Sequence, residues 1–271
     1  SPKDVIDCCK KFKLKKIKAI ITMYNGGYPN EIENFFKLKK KLKCFIIEDA
    51  CHALGASYKA NGRIQMVGSC KHSDISTFSL HPLKTITTGE GGIVTTNNKK
   101  IRDKLEVFRS LGIQRSRKKH WKYDVLKNGM NFRLTDFQCA LGISQLKKIK
   151  KFIFKRKKIF NYYSDKLKNN NFFSVPQNFK GSYPSYHLYL INLKTKNLKL
   201  KENLITYMLK NKIMLQQHYI PIFNFKTFKE KFLGNEAKKY HDTTISIPIY
   251  FELTFKQQDL IINKLNNFFK K

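Results

Sequence analysis

Two residues in the first third of the chain could carry chemistry. Asp49 closes an apolar run, CFIIED (44–49), and Lys84 stands among small hydroxyl and glycine residues in HPLKTITTGEGG (81–92). A short apolar run ending in acid reads as a buried parallel strand. Such a strand delivers its last side chain to the carboxyl edge of the sheet, where open α/β sheets bind ligands. Lys84 follows a second strand, DISTFSL (74–80), and precedes a Gly-rich turn into a third, GGIVTTN (91–97). Two strand ends therefore bring a carboxylate and an amine toward one crevice. That pair suits pyridoxal phosphate: the amine condenses with its aldehyde, and the carboxylate keeps the pyridine nitrogen protonated so that the ring accepts electrons. Each residue also has a plain structural reading. A chain with 54 Lys and Arg residues carries mostly solvated lysines, and strand-end acids often cap the next helix.

The elements that must position this pair follow from periodicity and punctuation. KAIITMY (18–24) reads as a strand, and NGGYPNEIE as a turn in which Asn30 caps the helix EIENFFKLKKKLK (31–43); CFIIED then completes a β-turn-α-β unit across 18–49. Residues 57–68 predict a hairpin on Asn61-Gly62. His52, three residues past Asp49, reads as a capping or packing histidine, and Ser79, at a strand end, as a backbone-bonded cap. A helix over 99–111 stops at Gly112. Residues 113–130 are irregular and basic and hold the only tryptophan, Trp121; they read as an ordered loop at a site mouth or subunit contact, or equally as a solvated loop. Thr135 caps a long helix whose Phe137, Ala140, Leu141, Ile143 and Leu146 favour one face.

From about residue 151 the pattern changes to shorter elements. Helices are expected at KRKKIFNYYSDKLKNN (155–170), KENLITYMLKNK (201–212) and TFKQQDLIINKLNNFF (254–269), with strands at HLYLINL (187–193), MLQQHYIPI (214–222) and ISIPIY (245–250). His187 and His218 are equally core histidines or substrate contacts. The expected class is α/β, with part of a large domain over 1–150 and a smaller C-terminal α/β domain over 151–271.

The wording of several stretches adds to this. IEDACHALGA (47–56), GSCKHSDISTFSLHPLKTITTGEGGIVTTN (68–97) and GMNFRLTDFQCALGISQLKKI (129–149) closely resemble the DegT/DnrJ/EryC1/StrS sugar aminotransferases, and SYHLYLI, QQHYIPI and ISIPIY resemble landmarks of that family's C-terminal domain. The resemblance runs in order along nearly the whole chain. It implies a pyridoxal-phosphate-dependent fold of the aspartate-aminotransferase type (fold type I). It also implies transamination of a nucleotide-linked 4-keto-6-deoxy sugar, with glutamate as amino donor. By the same resemblance Lys84 holds the cofactor covalently and serves as the base, Asp49 pairs with the pyridine nitrogen, and His52 covers one ring face. Ser79 and Asn131 would bind phosphate, Asn131 that of a neighbouring subunit, so a homodimer with composite sites is implied. The family usually has an aromatic residue where Met130 stands. The resemblance begins partway through the large domain, and the family's N-terminal stretch, with a further phosphate-binding turn and a sandwiching aromatic, is expected to be missing before Ser1.

Composition bounds the alternatives. At 271 residues with 41% hydrophobic content the chain can bury a substantial core. No apolar run approaches bilayer-spanning length, and no signal-peptide pattern opens the chain, so a membrane partner is not expected. The net charge of +35 would suit polyanion binding, even by a catalytically inactive remnant. However, only seven of the 54 basic residues are arginine, the preferred residue for phosphate forks and base readout. Abundant Lys, Asn and Ile fit compositional drift better than nucleic-acid recognition. The six cysteines form no CxxC pair. Cys51-His52 and Cys70-Lys71-His72 lack a second ligand pair, so no metal is expected. Cys44 and Cys139 read as small buried residues, and reduced thiols in a cytoplasmic setting are the default.

Overall fold

The structure, a computed structural model, describes residues 1–116, 118–119, 121–228 and 234–270. In chain order its elements are α1 (Pro2–Lys11), β1 (Ala19–Met23), α2 (Ile32–Leu42), β2 (Phe45–Asp49), β3 (Ser57–Ala60), β4 (Arg63–Met66), β5 (Ile75–Ser79), β6 (Gly92–Thr95), α3 (Lys99–Arg109), β7 (Ile113–Arg115), β8 (Tyr123–Val125) and α4 (Asp136–Leu146). There follow α5 (Ile149–Leu167), β9 (Phe173–Ser174), β10 (Ser182–Tyr183), β11 (Tyr189–Leu193), α6 (Leu198–Lys210), α7 (Asn235–Thr243), β12 (Thr244–Ile247) and α8 (Phe255–Phe269). They form two compact units: residues 1–150 with 180–184, and residues 151–179 with 185–271.

The first unit is built on a four-stranded sheet in the order β1-β2-β5-β6. β1, β2 and β5 run parallel, with Met23 opposite Asp49 and Asp49 opposite Thr77; β6 returns antiparallel, with Gly92 opposite Ser79. The parallel β1-α2-β2 unit matches the sequence expectation. Alternation along β1 and β2 sends Ile20, Ile46 and Glu48 into the interior. There Ile20, Leu38 and Cys44 pack with Val5 and Ile6 of α1 and Phe35 and Leu42 of α2. The opposite face is open: Ile21 is 71% exposed, and Met23 and Phe45 are also exposed. The hairpin β3–β4 turns on Asn61 (φ 47°) and Gly62 (φ 76°), the paired positive φ that a two-residue turn of this kind requires. β10 adds a third strand against β3.

Three expectations for this unit need correction. α2 is entered through Glu31 in a left-handed conformation that makes no side-chain cap bond, so Asn30 is not its cap. The stretch 113–130 contains the antiparallel pair β7–β8, with Ile113 opposite Val125; Arg117 and His120 lie outside the described residues. Cys44 is buried, but Cys139 is exposed, because α4 buries none of its residues.

In the second unit a three-stranded antiparallel sheet, ordered β12-β11-β9, lies among α5, α6 and α8. Its core holds Ile159, Phe160 and Tyr163 of α5, Leu204 and Met208 of α6, and Ile261 and Leu265 of α8. Two of the polar side chains inside it are bonded to backbone carbonyls. Arg156 Nη1 donates to the carbonyls of Tyr186, His187 and Ile249 at 3.4, 3.2 and 3.1 Å, and burial lowers its pKa to about 10. Gln258 Nε2 donates to the Ile159 carbonyl at 2.9 Å. MLQQHYIPI is not the expected strand; Gln216 forms a single bridge with Ser246. Among the described residues no helix is long and apolar enough to cross a membrane.

Candidate active site

The parallel strands end together, so the segments leaving them gather at one carboxyl edge. These are Tyr24–Gly27 after β1, Asp49–His52 after β2, and Ser79–Lys84 after β5. The loop carrying Lys84 is stapled at its neck. Leu80 N–H donates to the Gly91 carbonyl at 2.9 Å, while the Leu80 carbonyl accepts from Thr88 N–H at 3.0 Å and from Thr87 Oγ1 at 2.9 Å. Lys84 N–H donates to the His81 carbonyl at 2.9 Å, which closes a tight turn inside the loop. The small residues TITTGEGG thus form a cross-braced loop that holds the backbone of Lys84 at the edge.

Lys84 is half-buried, and desolvation lowers its pKa below the ordinary lysine value, against the opposing attraction of Cys51 and Asp49. A lowered pKa increases the fraction of free amine at neutral pH, which is the nucleophilic and proton-accepting form. Burial pushes the Cys51 thiol up to about 11, and its bond to Asp49 adds to the shift. At neutral pH that sulfur is uncharged, so the anion acting on Lys84 is Asp49. Asp49 is held in turn: its Oδ1 accepts from Cys51 N–H at 3.1 Å, and its carbonyl accepts from Tyr24 N–H at 3.1 Å.

The five residues singled out in the sequence fall as follows. Asp49 and Lys84 lie within electrostatic reach of each other. His52 is buried one turn past Asp49, with Nδ1 accepting from Gly26 N–H at 3.2 Å. Ser79 sits at the end of β5; its Oγ accepts from His81 N–H at 3.3 Å, which leaves the hydroxyl proton available to an anionic oxygen. Asn131 is exposed and bridges Ser110 antiparallel, in a segment tied to the end of α3 by Met130 N–H to the Phe108 carbonyl at 2.8 Å. Sequence reasoning weighed Cys51 only as a metal ligand beside His52 and passed over Gly26; the Cys51 amide touches Asp49, and the Gly26 amide touches His52. Both follow from register: Cys51 is two residues past the strand end, and Gly26 leaves the strand paired with it. His187 is buried, and His218 Nδ1 lies 2.9 Å from Ser246 Oγ within the second unit.

The donor set is a carboxylate, an amine of lowered basicity and a hydroxyl with its proton to spare. It fits a group that has a basic ring nitrogen, an aldehyde and a phosphate, as pyridoxal phosphate does.

Residues 10–266 match the DegT/DnrJ/EryC1/StrS aminotransferase family. The chain belongs to this family. It is 37% identical over 259 residues to a UDP-4-amino-4,6-dideoxy-N-acetyl-beta-L-altrosamine transaminase of Campylobacter jejuni, an alignment covering 94% of this chain and 66% of the relative. It is 32% identical to a GDP-perosamine synthase of Escherichia coli O157:H7, covering 94% of this chain and 66% of the relative. Among solved structures it superposes with TM-score 0.85 and 31% identity on Helicobacter pylori PseC, described as an aminotransferase involved in the biosynthesis of pseudoaminic acid; the match covers 96% of this chain and 69% of that one. The chain therefore spans about two thirds of the length of the curated relatives it matches. The mixed α/β architecture is that of the fold type I aminotransferases.

Proposed function

We propose that this chain carries the catalytic half-site of a pyridoxal-phosphate-dependent aminotransferase. Its substrate would be a nucleotide-linked 4-keto-6-deoxy sugar of the UDP-N-acetyl-altrosamine type, with glutamate as amino donor. The observation that carries the reading is Lys84, of lowered pKa, facing Asp49 at the carboxyl edge of the sheet. The family membership and the names of the similar transaminases support the reaction class and point toward pseudaminic acid synthesis. A cytoplasmic homodimer, in which Asn131 reaches a neighbouring subunit's phosphate, belongs to the same reading. So does a division of labour between residues 1–150, which bind the cofactor, and residues 151–271.

When bound, pyridoxal phosphate would supply an electron sink that stabilises negative charge at the carbon bearing the amino group. The chain's own residues do the rest. Asp49 supplies the anion that holds a ring nitrogen protonated. Lys84 would supply the amine that holds the aldehyde carbon and, as a free amine, would serve as general base. Its desolvated surroundings lower its pKa, which makes the free amine that step needs easier to reach. Ser79 would donate to a phosphate oxygen, and His52, buried here, would cover one ring face only once its own face is uncovered.

A second aminotransferase reading, on a different nucleotide sugar, is favoured by the similarity to a GDP-perosamine synthase. Product analysis with UDP- and GDP-linked keto sugars separates the two. The first experiment is borohydride reduction of the purified chain with pyridoxal phosphate, followed by peptide mass mapping. Selective labelling at Lys84 is expected among the chain's many lysines, and Lys84→Ala should remove it. Scattered labelling, or a label retained in Lys84→Ala, would sink the assignment. Salt-sensitive nucleic-acid binding without any cofactor binding would favour a polyanion-binding remnant instead.

A further inference from the structure

Beneath the edge described above lies a buried acid that the proposed chemistry does not use. Glu48 precedes Asp49 on β2, so strand alternation points it to the opposite face, where it is 2% exposed. Its Oε1 accepts from the Tyr24 hydroxyl at 2.8 Å, and its Oε2 accepts from the Ser76 hydroxyl. Burial, and next to it Glu48, raises the pKa of Tyr24 far above the ordinary phenol value, so Tyr24 stays a donor throughout the accessible pH range. Tyr24 is also the first residue of the turn after β1. Its N–H is bonded to Asp49 and its carbonyl accepts from Gly27 N–H at 2.9 Å. The turn needs φ of 71° at Gly26 and 90° at Gly27, left-handed values that glycine adopts without strain. The side-chain bond of Tyr24 and the backbone of this turn together aim one amide, that of Gly26, at His52 Nδ1.

An amide N–H can only donate, so His52 Nδ1 must be the accepting nitrogen, and in the neutral ring the proton sits on Nε2. Protonating Nδ1 would break that bond and set two N–H groups against each other inside a site where His52 is 2% exposed. We propose that Glu48 and Tyr24 are positioning residues that lock His52, through the Gly26 amide, as a neutral Nε2–H imidazole with a fixed ring plane. If His52 covers the cofactor ring, as in the function proposed above, the lock keeps a second positive charge away from a protonated ring nitrogen. It thereby protects the pairing of that nitrogen with Asp49. The lock itself is a property of this chain without any ligand.

The test uses the full chain without cofactor, labelled with 15N-histidine and read by long-range 1H–15N correlation at neutral pH. The His52 signal is assigned by its disappearance in His52→Gln. The wild-type chain should show a single Nε2–H tautomer at His52. In Tyr24→Phe, and separately in Glu48→Gln, that pattern should give way to a mixture of tautomers. Amide hydrogen exchange at Gly26 should become about tenfold faster, the loss of roughly one hydrogen bond. Exchange at Ile46 and Ile47 of β2 serves as the control for general destabilisation. An Nδ1–H or imidazolium pattern in the wild-type chain would overturn the proposal. So would an unchanged tautomer in both variants, or exchange at Gly26 that rises only in step with β2. Failure of the wild-type chain to label at Lys84 would count against the cofactor reading and leave the lock standing.

Discussion

α4 and α8 begin with the same local instructions and end in opposite surroundings. Thr135 and Thr254 each cap a helix with a hydroxyl that accepts from the backbone N–H of a glutamine three residues on, and that glutamine reaches back to the cap's own N–H: Gln138 in one, Gln257 in the other. Both helices carry apolar residues, gathered on one face in α8 but spread around the helix in α4 rather than on the one face expected from the sequence. In α8, Ile261, Ile262 and Leu265 are buried within the second unit, whereas α4 buries none of its residues, and its Phe137 is 81% exposed. The contrast extends to the units. The second closes a core around its sheet, while the first covers one face of its sheet and leaves Ile21, Met23 and Phe45 of the other in the open. Local sequence specifies where a helix starts, and in α8 also which face is apolar. Whether a second layer meets that face is a separate matter.

The contrast is tested most severely by truncating one apolar side chain in each unit. Leu265→Ala should cost about 3 kcal/mol, the transfer and cavity terms of a fully buried leucine. Ile143→Ala in α4 should change stability by less than about 0.5 kcal/mol. Native-state hydrogen exchange read separately in each unit checks both, and a large cost for Ile143→Ala would mean that α4 is covered in solution.

A smaller effect concerns the charge enclosed by the second unit. Lys201 is 3% exposed, and its ammonium donates to the His241 carbonyl. Burial lowers its pKa from 10.5 to about 8, against the opposing attraction of Asp242 and Glu202. Between those values the unfolded chain holds more protons than the folded one, so stability rises with pH across that window. The gain should be on the order of 2 kcal/mol. Higher still, Tyr163 and Tyr189, whose pKa values burial raises, reverse the slope, because the unfolded phenols ionise first. Exchange in the second unit followed against pH should show the rise, and Lys201→Met should flatten it.

A third effect should be equal in the two units. Thr135→Ala and Thr254→Ala should each cost about 1 kcal/mol, because a cap bond is local and independent of what the helix later packs against. Unequal costs would show that tertiary contacts reach into the caps.

The placement of much of the candidate site was legible in the sequence. The β1-α2-β2 unit, the Asn61-Gly62 hairpin and the Thr135 cap follow from short-range rules, and each was found where those rules put it. The placement of Asp49 was legible because a parallel strand must deliver its last residue to the carboxyl edge, and that of Lys84 because its loop leaves β5 at the same edge. Less visible were the features that depend on through-space partners. The cap of α2 moved from Asn30 because Glu31 adopts a left-handed φ of 53°, which no pattern of residue types announces. MLQQHYIPI has the composition of a strand but meets only Ser246 across one bridge. Cys139 lies in an apolar context and is exposed, because burial needs a neighbour as well as a hydrophobic side chain.

By itself, the sequence determined most of the helices and parallel strands, the Thr135 cap, the Asn61-Gly62 turn, the family, and the placement of Asp49 and Lys84 near the sheet's carboxyl edge. These depend on bonds between residues close along the chain, or on wording preserved within a family. Only the tertiary structure decided that Lys84 loses basicity to desolvation, that Asp49 is held by the Cys51 amide, and that Glu48 reaches His52 through Tyr24 and Gly26. Desolvation and hydrogen-bond direction depend on atoms brought together from distant parts of the chain, and the strand register that brings them together is a property of the folded sheet.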